Sequence, residues 1–286
     1  MGILLLKKFD FRVIFVKNRT DLAVESFESA DKTVIDGVKV TEENNVTTVE
    51  VLNPKGAAAI GKPVGRYVTL SLPSLVSGSQ PLDYMITQTA SILTSLLPKN
   101  INSVLVAGIG NLDITADALG PLTNNYVLAT RHIVDNELFS DFFNVSSISA
   151  GVLGDTGIES AEIVSGVASA IKPDCVIAVD ALAASSSDRL GTTVQLSNVG
   201  IAPGSGVGNH RYEISQKTLG VPVVSIGIPT VVSAEIISGK KLSQPMFVTP
   251  REIDKIIDSG SKLIGMAVNV SLQRSVSLQD LFSLVS

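Results

Sequence analysis

The chain has 286 residues, 45% hydrophobic and 17% charged, with a net charge of −5. That length and apolar share are enough for a large core and exclude a disordered chain. The mild acidity, without a basic cluster, argues against direct nucleic-acid binding, and the absence of Trp argues against a surface for stacking sugars or bases.

Residues 1–20 read as an extended arm of mixed charge. Its first residues, Met1-Gly2-Ile3-Leu4-Leu5-Leu6-Lys7-Lys8, are apolar but brief, and no positive charge leads them. They make a poor signal peptide, and no segment reaches the roughly 18 uninterrupted apolar residues of a membrane span. Val46–Leu52 is rich in β-branched residues and predicts a strand, followed by the turn Asn53-Pro54-Lys55-Gly56. Tyr67–Leu72 predicts a second strand, ended by Pro73. Residues 22–66 are therefore expected to form a small β-rich edge or flap. Between 81 and 97, Leu82, Met85, Ile86, Ala90, Leu93 and Leu97 share one helical face.

Val104-Leu105-Val106 has the character of a buried parallel strand. Gly108 and Gly110 end it in a tight turn. Asp113 or Thr115 then caps a helix expected to continue through Asn124 to Ala129, with Asp117 in its first turn. A short helix is expected near Asp135–Phe143, then the glycine-rich loop Gly151–Gly157, then a helix over Glu159–Ile171 stopped by Pro173. Cys175–Val179 is a second buried strand, ending at Asp180. Cys175 is the only cysteine, so no internal disulfide forms, which fits a reducing compartment. Inside that apolar run it reads as a small buried hydrophobe and not as a nucleophile.

Thr192–Leu196 predicts another strand, followed by the loop Pro203–Asn209. Val221–Ile228 predicts a final core strand closed by Pro229-Thr230. Thr249, Pro250 and Glu252 open a helix as N-cap, N1 and N3, running to about Gln273, and a short helix follows Ser277. Strands and helices alternate from about residue 67, which predicts an α/β fold with a mostly parallel sheet covered on both faces. One compact domain is the simplest organisation.

Asp117 and Asp180 each follow a buried strand, and parallel strand ends lie on one edge of a sheet. Two carboxylates brought together there titrate apart, so that one serves as acid and the other as base. The alternatives are cap or turn acids without chemistry, or a mixed metal site of Asp117, Asp180 and His132. No HExxH, CxxC or histidine cluster supports the metal. His210 is the only other histidine, in a glycine loop. Gly204-Ser205-Gly206-Val207-Gly208 lacks the Lys-Ser/Thr of a phosphate loop, and Ser185 and Ser205 lie outside any GxSxG elbow.

Several motifs in order resemble the germination proteases of spore-forming bacteria. They are Arg19-Thr20-Asp21-Leu22-Ala23-Val24-Glu25, Ile60–Tyr67, Gly108–Asn111 with Asp117–Pro121, and Thr130-Arg131-His132. Gly151–Gly154 with Thr156–Glu159, Asp180–Ala183, Pro203–Asn209, Gly220–Val232 and the Ser277–Ser286 tail complete the series. The resemblance implies an unusual aspartic endopeptidase that degrades small acid-soluble spore proteins during germination. It implies a cytoplasmic enzyme of the spore core, made as a zymogen and assembled as a homotetramer, with no metal, cofactor or membrane partner. Its fold would be a three-layer α/β sandwich similar to that of the hydrogenase-maturation peptidases. By motif, Asp117 and Asp180 are the catalytic pair. The resemblance also implies a propeptide of 1–21, cut at about Asp21–Leu22, and a peptidase domain of 22–286. Asn111, His132, Gly206 and Asn209 are candidates for the substrate groove. The chain departs from the family pattern at Ala116, where Pro is usual, at Ser185, where Arg is usual, and in shorter loops after Ile237. A metal-binding maturation factor of the same fold and a degenerate, non-catalytic homologue remain the competing readings.

Overall fold

The apolar runs of the sequence pair side by side. The computed structural model describes residues 20–30, 34–208 and 212–285. Its strands are β1 (Val38–Glu43), β2 (Val46–Val51), β3 (Gly65–Ser71), β4 (Ser103–Ile109), β5 (Asn144–Gly151), β6 (Cys175–Ala184), β7 (Thr193–Ser197), β8 (Val223–Ser233) and β9 (Phe247–Val248). They form a single sheet in the order β1-β2-β3-β7-β8-β6-β4-β5, with β9 added on β8. The pairings from β5 through β4 and β6 to β8 are parallel. From β8 through β7, β3 and β2 to β1 they are antiparallel. The β-rich N-terminal segment thus extends one edge of the main sheet.

Helices cover both faces. On one, Val104, Val106, Ile177, Val179, Val224 and Ile226 pack under the helices Leu82–Leu96 and Ile253–Leu272. On the other, Leu105, Ala107, Val176 and Ala178 pack against Ala161, Val164 and Ala168 of the helix Ser160–Ile171. Each fully buried Val, Leu or Ile in these layers contributes about 1.5–3 kcal/mol. A third cluster, including Leu22, Val24, Val49, Val51, Leu182 and Ala184, lies over the antiparallel wing beneath the short helix Ala23–Glu28.

Several elements differ from expectation. β6 does not stop at Asp180 but runs to Ala184. β8 likewise continues through Pro229, which pairs with Leu182 next to a register shift, a place where a missing N–H is tolerated. The helix expected to reach Ala129 is instead a 3-10 turn at Thr115–Asp117, five α-helical residues at Leu119–Thr123 and a second 3-10 turn at Asn124–Tyr126. The C-terminal helix begins at Ile253, because the Thr249 hydroxyl is spent on the Thr230 carbonyl (2.8 Å) and caps nothing. β1 and β5 had no expectation attached to them. Both are polar and Ser-, Lys- or Glu-bearing at the outer edges of the sheet, where no two-sided burial demands an apolar run.

Candidate active site

The last residue pair between β4 and β6 is Gly108 with Val179. Asp180 is therefore the first residue of β6 beyond its partner, where β4 turns away. Side-chain alternation sets it on the face of Val176, Ala178, Leu182 and Ala184, between two apolar clusters. It is only 4% exposed, and its Oδ1 accepts the Ala181 N–H at 2.9 Å.

Asp117 reaches the same edge by a tight reversal after β4. Gly110 adopts φ +126°, and a Cβ there would lie 1.9 Å from the Asp117 carbonyl oxygen, so only glycine fits. The Asn111 N–H then donates to Asp117 Oδ2 at 2.7 Å. On the other side of the turn, the buried Thr230 hydroxyl of β8 donates to the Ala116 carbonyl at 2.7 Å. Gly120 lets the following helix settle onto the sheet. A Cβ at that position would stand 2.3 Å from Ile109 O and 2.4 Å from Val179 O.

Asp117 and Asp180 both line a cleft of about 640 Å³ at the carboxyl ends of the parallel strands, with Ile109, Thr230, Phe247 and Asp21 among its walls. That is where open α/β sheets bind ligands. Both carboxylates therefore open onto the same space at that edge.

Asp21 closes one side of the cleft. Its N–H donates to Ala183 O (2.9 Å), and its carboxylate accepts from Ala183 N (2.8 Å) and Ser205 Oγ (2.6 Å). Leu22 is fully buried beside it. Thr20 donates its hydroxyl to the buried Glu25, whose carboxylate also accepts the Ser185 N–H (2.7 Å) and faces Arg189 Nε at 3.5 Å. A guanidinium thus approaches Glu25 from Arg189. Burial pushes the Lys62 ammonium below the usual lysine range, against the opposing pull of Asp21 and Glu25. Burial also pushes the Cys175 thiol up to about 12, as befits a core residue.

The groove candidates fare unequally. Asn111 serves Asp117 through its backbone, while its side chain accepts from Asp113 N (2.7 Å) and reaches Asp155. Gly206 is covered: a Cβ there would lie 2.4 Å from Asp21 Oδ2 and 2.6 Å from Ala183 Cβ, so the glycine makes room for Asp21. Asn209 lies outside the described residues. His132 needs correction. It is exposed in a turn anchored by the Thr130 and Arg131 amides to Val145 O, at the start of β5. That is the amino end of the parallel strands, opposite the cleft, so His132 joins neither the groove nor a metal site with the two aspartates. Among the described residues, no group of three or more His, Cys, Asp or Glu side chains is placed to hold a metal. Thr230, Lys62 and Gln195 went unassigned in the sequence. A signal existed for Gln195: Thr193, Gln195 and Ser197 alternate with Val194 and Leu196, marking a polar face on a core strand.

A family model described as germination protease matches residues 15–243. The chain belongs to the germination protease family. It is 37% identical to the germination protease of Caldanaerobacter subterraneus subsp. tengcongensis, over 96% of this chain and 99% of that one. It is 36% identical to that of Clostridium perfringens, over 92% and 97%, and 42% identical to that of Bacillus cytotoxicus, over 76% and 63%. Among solved structures it is similar to the NiFe hydrogenase maturation protease HycI from Thermococcus kodakarensis, at 20% identity and TM-score 0.40, covering 65% of this chain and 99% of that one. As a germination protease the chain is a peptidase acting on protein substrates. Among the described residues no helix is long and apolar enough to cross a membrane.

Proposed function

We propose that this peptidase hydrolyses small acid-soluble spore proteins during germination, by water activated between Asp117 and Asp180. The observation that carries the mechanism is that both carboxylates line one cleft at the carboxyl edge of the parallel strands. One carboxylate takes a proton from the attacking water, and the other carboxyl donates to the departing amine. In this reading the enzyme works in the spore core as a homotetramer. It is made as a zymogen that cuts itself between Asp21 and Leu22, releasing residues 1–21. Support for that boundary comes from Asp21 lining the same cleft as the two aspartates.

The test is incubation of the full chain with a purified small acid-soluble spore protein, with the N-terminus of the enzyme and the fragments of the substrate followed by mass spectrometry. The expected result is substrate fragmentation together with a new N-terminus at Leu22. An unchanged N-terminus and intact substrate would instead favour the degenerate, non-catalytic homologue.

A further inference from the structure

Lys62 follows the helix Pro54–Ile60 and reaches beneath the chain at residues 20–21. Its Nζ donates to the carbonyl oxygen of Thr20 at 2.8 Å and to that of Asp21 at 3.0 Å. The Asp21 carbonyl takes a second donor, Gln195 Nε2, at 2.9 Å. Gln195 is itself oriented, because its Oε1 accepts the Ala23 N–H at 2.7 Å. One carbonyl is thus gripped by an ammonium and an amide, in a cavity lined by Asp21, Lys62 and Gln195 that shares Asp21 with the cleft of Asp117 and Asp180. Donors at this distance, fixed before reaction, are what stabilise the oxyanion of a tetrahedral intermediate.

Simple anchoring of the arm does not explain this choice of residue. A neutral donor would anchor a carbonyl without the cost of drawing an ammonium away from water. In the resting chain the charge balances the nearby Asp21 and Glu25 carboxylates; at the Asp21 carbonyl itself it becomes useful when that oxygen becomes negative.

We infer that Lys62 and Gln195 are the oxyanion-stabilising donors for hydrolysis of the Asp21–Leu22 peptide bond. The inference rests on the self-processing reading above. The water oxygen bonds to the Asp21 carbonyl carbon, and its proton passes to a carboxylate of the cleft. The carbonyl electron pair moves onto the oxygen facing Lys62 Nζ and Gln195 Nε2. Collapse restores the C=O and breaks the bond to the Leu22 nitrogen, which takes a proton from a cleft carboxyl. One water is consumed, and the products are the Asp21 carboxyl and the Leu22 amine.

The test measures the rate at which the Leu22 N-terminus appears, by intact-mass spectrometry, in the full wild-type chain and in Lys62→Met, Lys62→Arg and Gln195→Glu. Gln195→Glu keeps the acceptor for Ala23 and removes the donor to Asp21. Each variant is also melted, to establish that it folds. Removing one oxyanion donor slows reaction by about 10²–10³-fold, so Lys62→Met and Gln195→Glu should each fall by that order. Lys62→Arg, which keeps charge and donors, should recover much of the rate. Gln195→Glu carries the test alone if Lys62→Met does not fold. Wild-type rates of cutting at Asp21–Leu22 in a folded Lys62→Met or Gln195→Glu chain overturn the inference and leave the processing reading intact. A wild-type chain that is uncut, or cut at another bond, overturns the processing reading and the inference with it.

Discussion

The Asn111 amide donates to Asp117 Oδ2 at 2.7 Å, so the carboxylate closes its own turn after β4. An Asn side chain presents an oxygen at the same place, whereas an Ala presents none. Asp117→Asn should therefore melt close to the wild type, and Asp117→Ala should lose about 0.5–1.5 kcal/mol. Urea unfolding of the two variants measures the difference. Equal stabilities would show that the bond does not hold the turn.

Gly120 is a second requirement of that turn. An Ala at 120 pushes a methyl against Ile109 and Val179 backbone atoms. Gly120→Ala should cost about 1–3 kcal/mol and lower cleavage, because the segment carrying Asp117 must rise off the sheet. Gly166 is the contrast. It lies in the helix Ser160–Ile171 with open space where a Cβ would go. Gly166→Ala should raise stability by about 0.5–1 kcal/mol. Thermal unfolding and initial rates on both variants check the pair of expectations.

Thr230 acts on the same turn from β8. Thr230→Val keeps the shape but leaves the Ala116 carbonyl without this donor. The expected cost is about 1–3 kcal/mol, with a fall in the rate of cleavage and little change in KM. A Thr230→Ser variant, which keeps the hydroxyl, should recover the rate. If Val and Ser behave alike, the hydroxyl does not position Asp117.

Cys175 is fully buried, and burial raises its thiol from 9.0 to about 12. The native thiol stays protonated below that value, so iodoacetamide should leave it unmodified at pH 8.5 and label it only after unfolding. The sign of the linked effect follows. The unfolded thiol ionises first, so this group's contribution to stability is complete below pH 9 and is lost between about 9 and 12. Denaturant midpoints of wild type and Cys175→Ala across that range measure it, and rapid alkylation of the native chain at pH 8.5 would contradict it.

The layered fold could be read from the sequence because its signals are local. Val104–Val106 and Cys175–Val179 are apolar runs that only a sheet covered on both faces accommodates. Met85, Ile86, Ala90 and Leu93, which share one helical face in the sequence, are among the residues that the helix Leu82–Leu96 buries. The site was legible only in part. Asp117 and Asp180 stand out as acids following buried strands, but sequence order does not say that β4 and β6 are neighbours. The polar grip on Asp21 was hidden for the same reason. Lys62, Ala183, Gln195 and Ser205 are far apart along the chain, and pairing in the sheet brings them together. His132 misled because a motif can be placed by a turn at the wrong end of the strands it accompanies.

The two-aspartate mechanism stands or falls on one comparison. Asp117→Asn and Asp180→Asn each keep an oxygen for the backbone donor, Asn111 N–H or Ala181 N–H, and lose the proton-transferring carboxylate. Initial rates of small acid-soluble spore protein cleavage are measured for both variants, in chains already beginning at Leu22 so that processing plays no part. The mechanism predicts a loss of at least about 10²-fold in each with melting temperatures near the wild type. Wild-type turnover by either folded variant would contradict it.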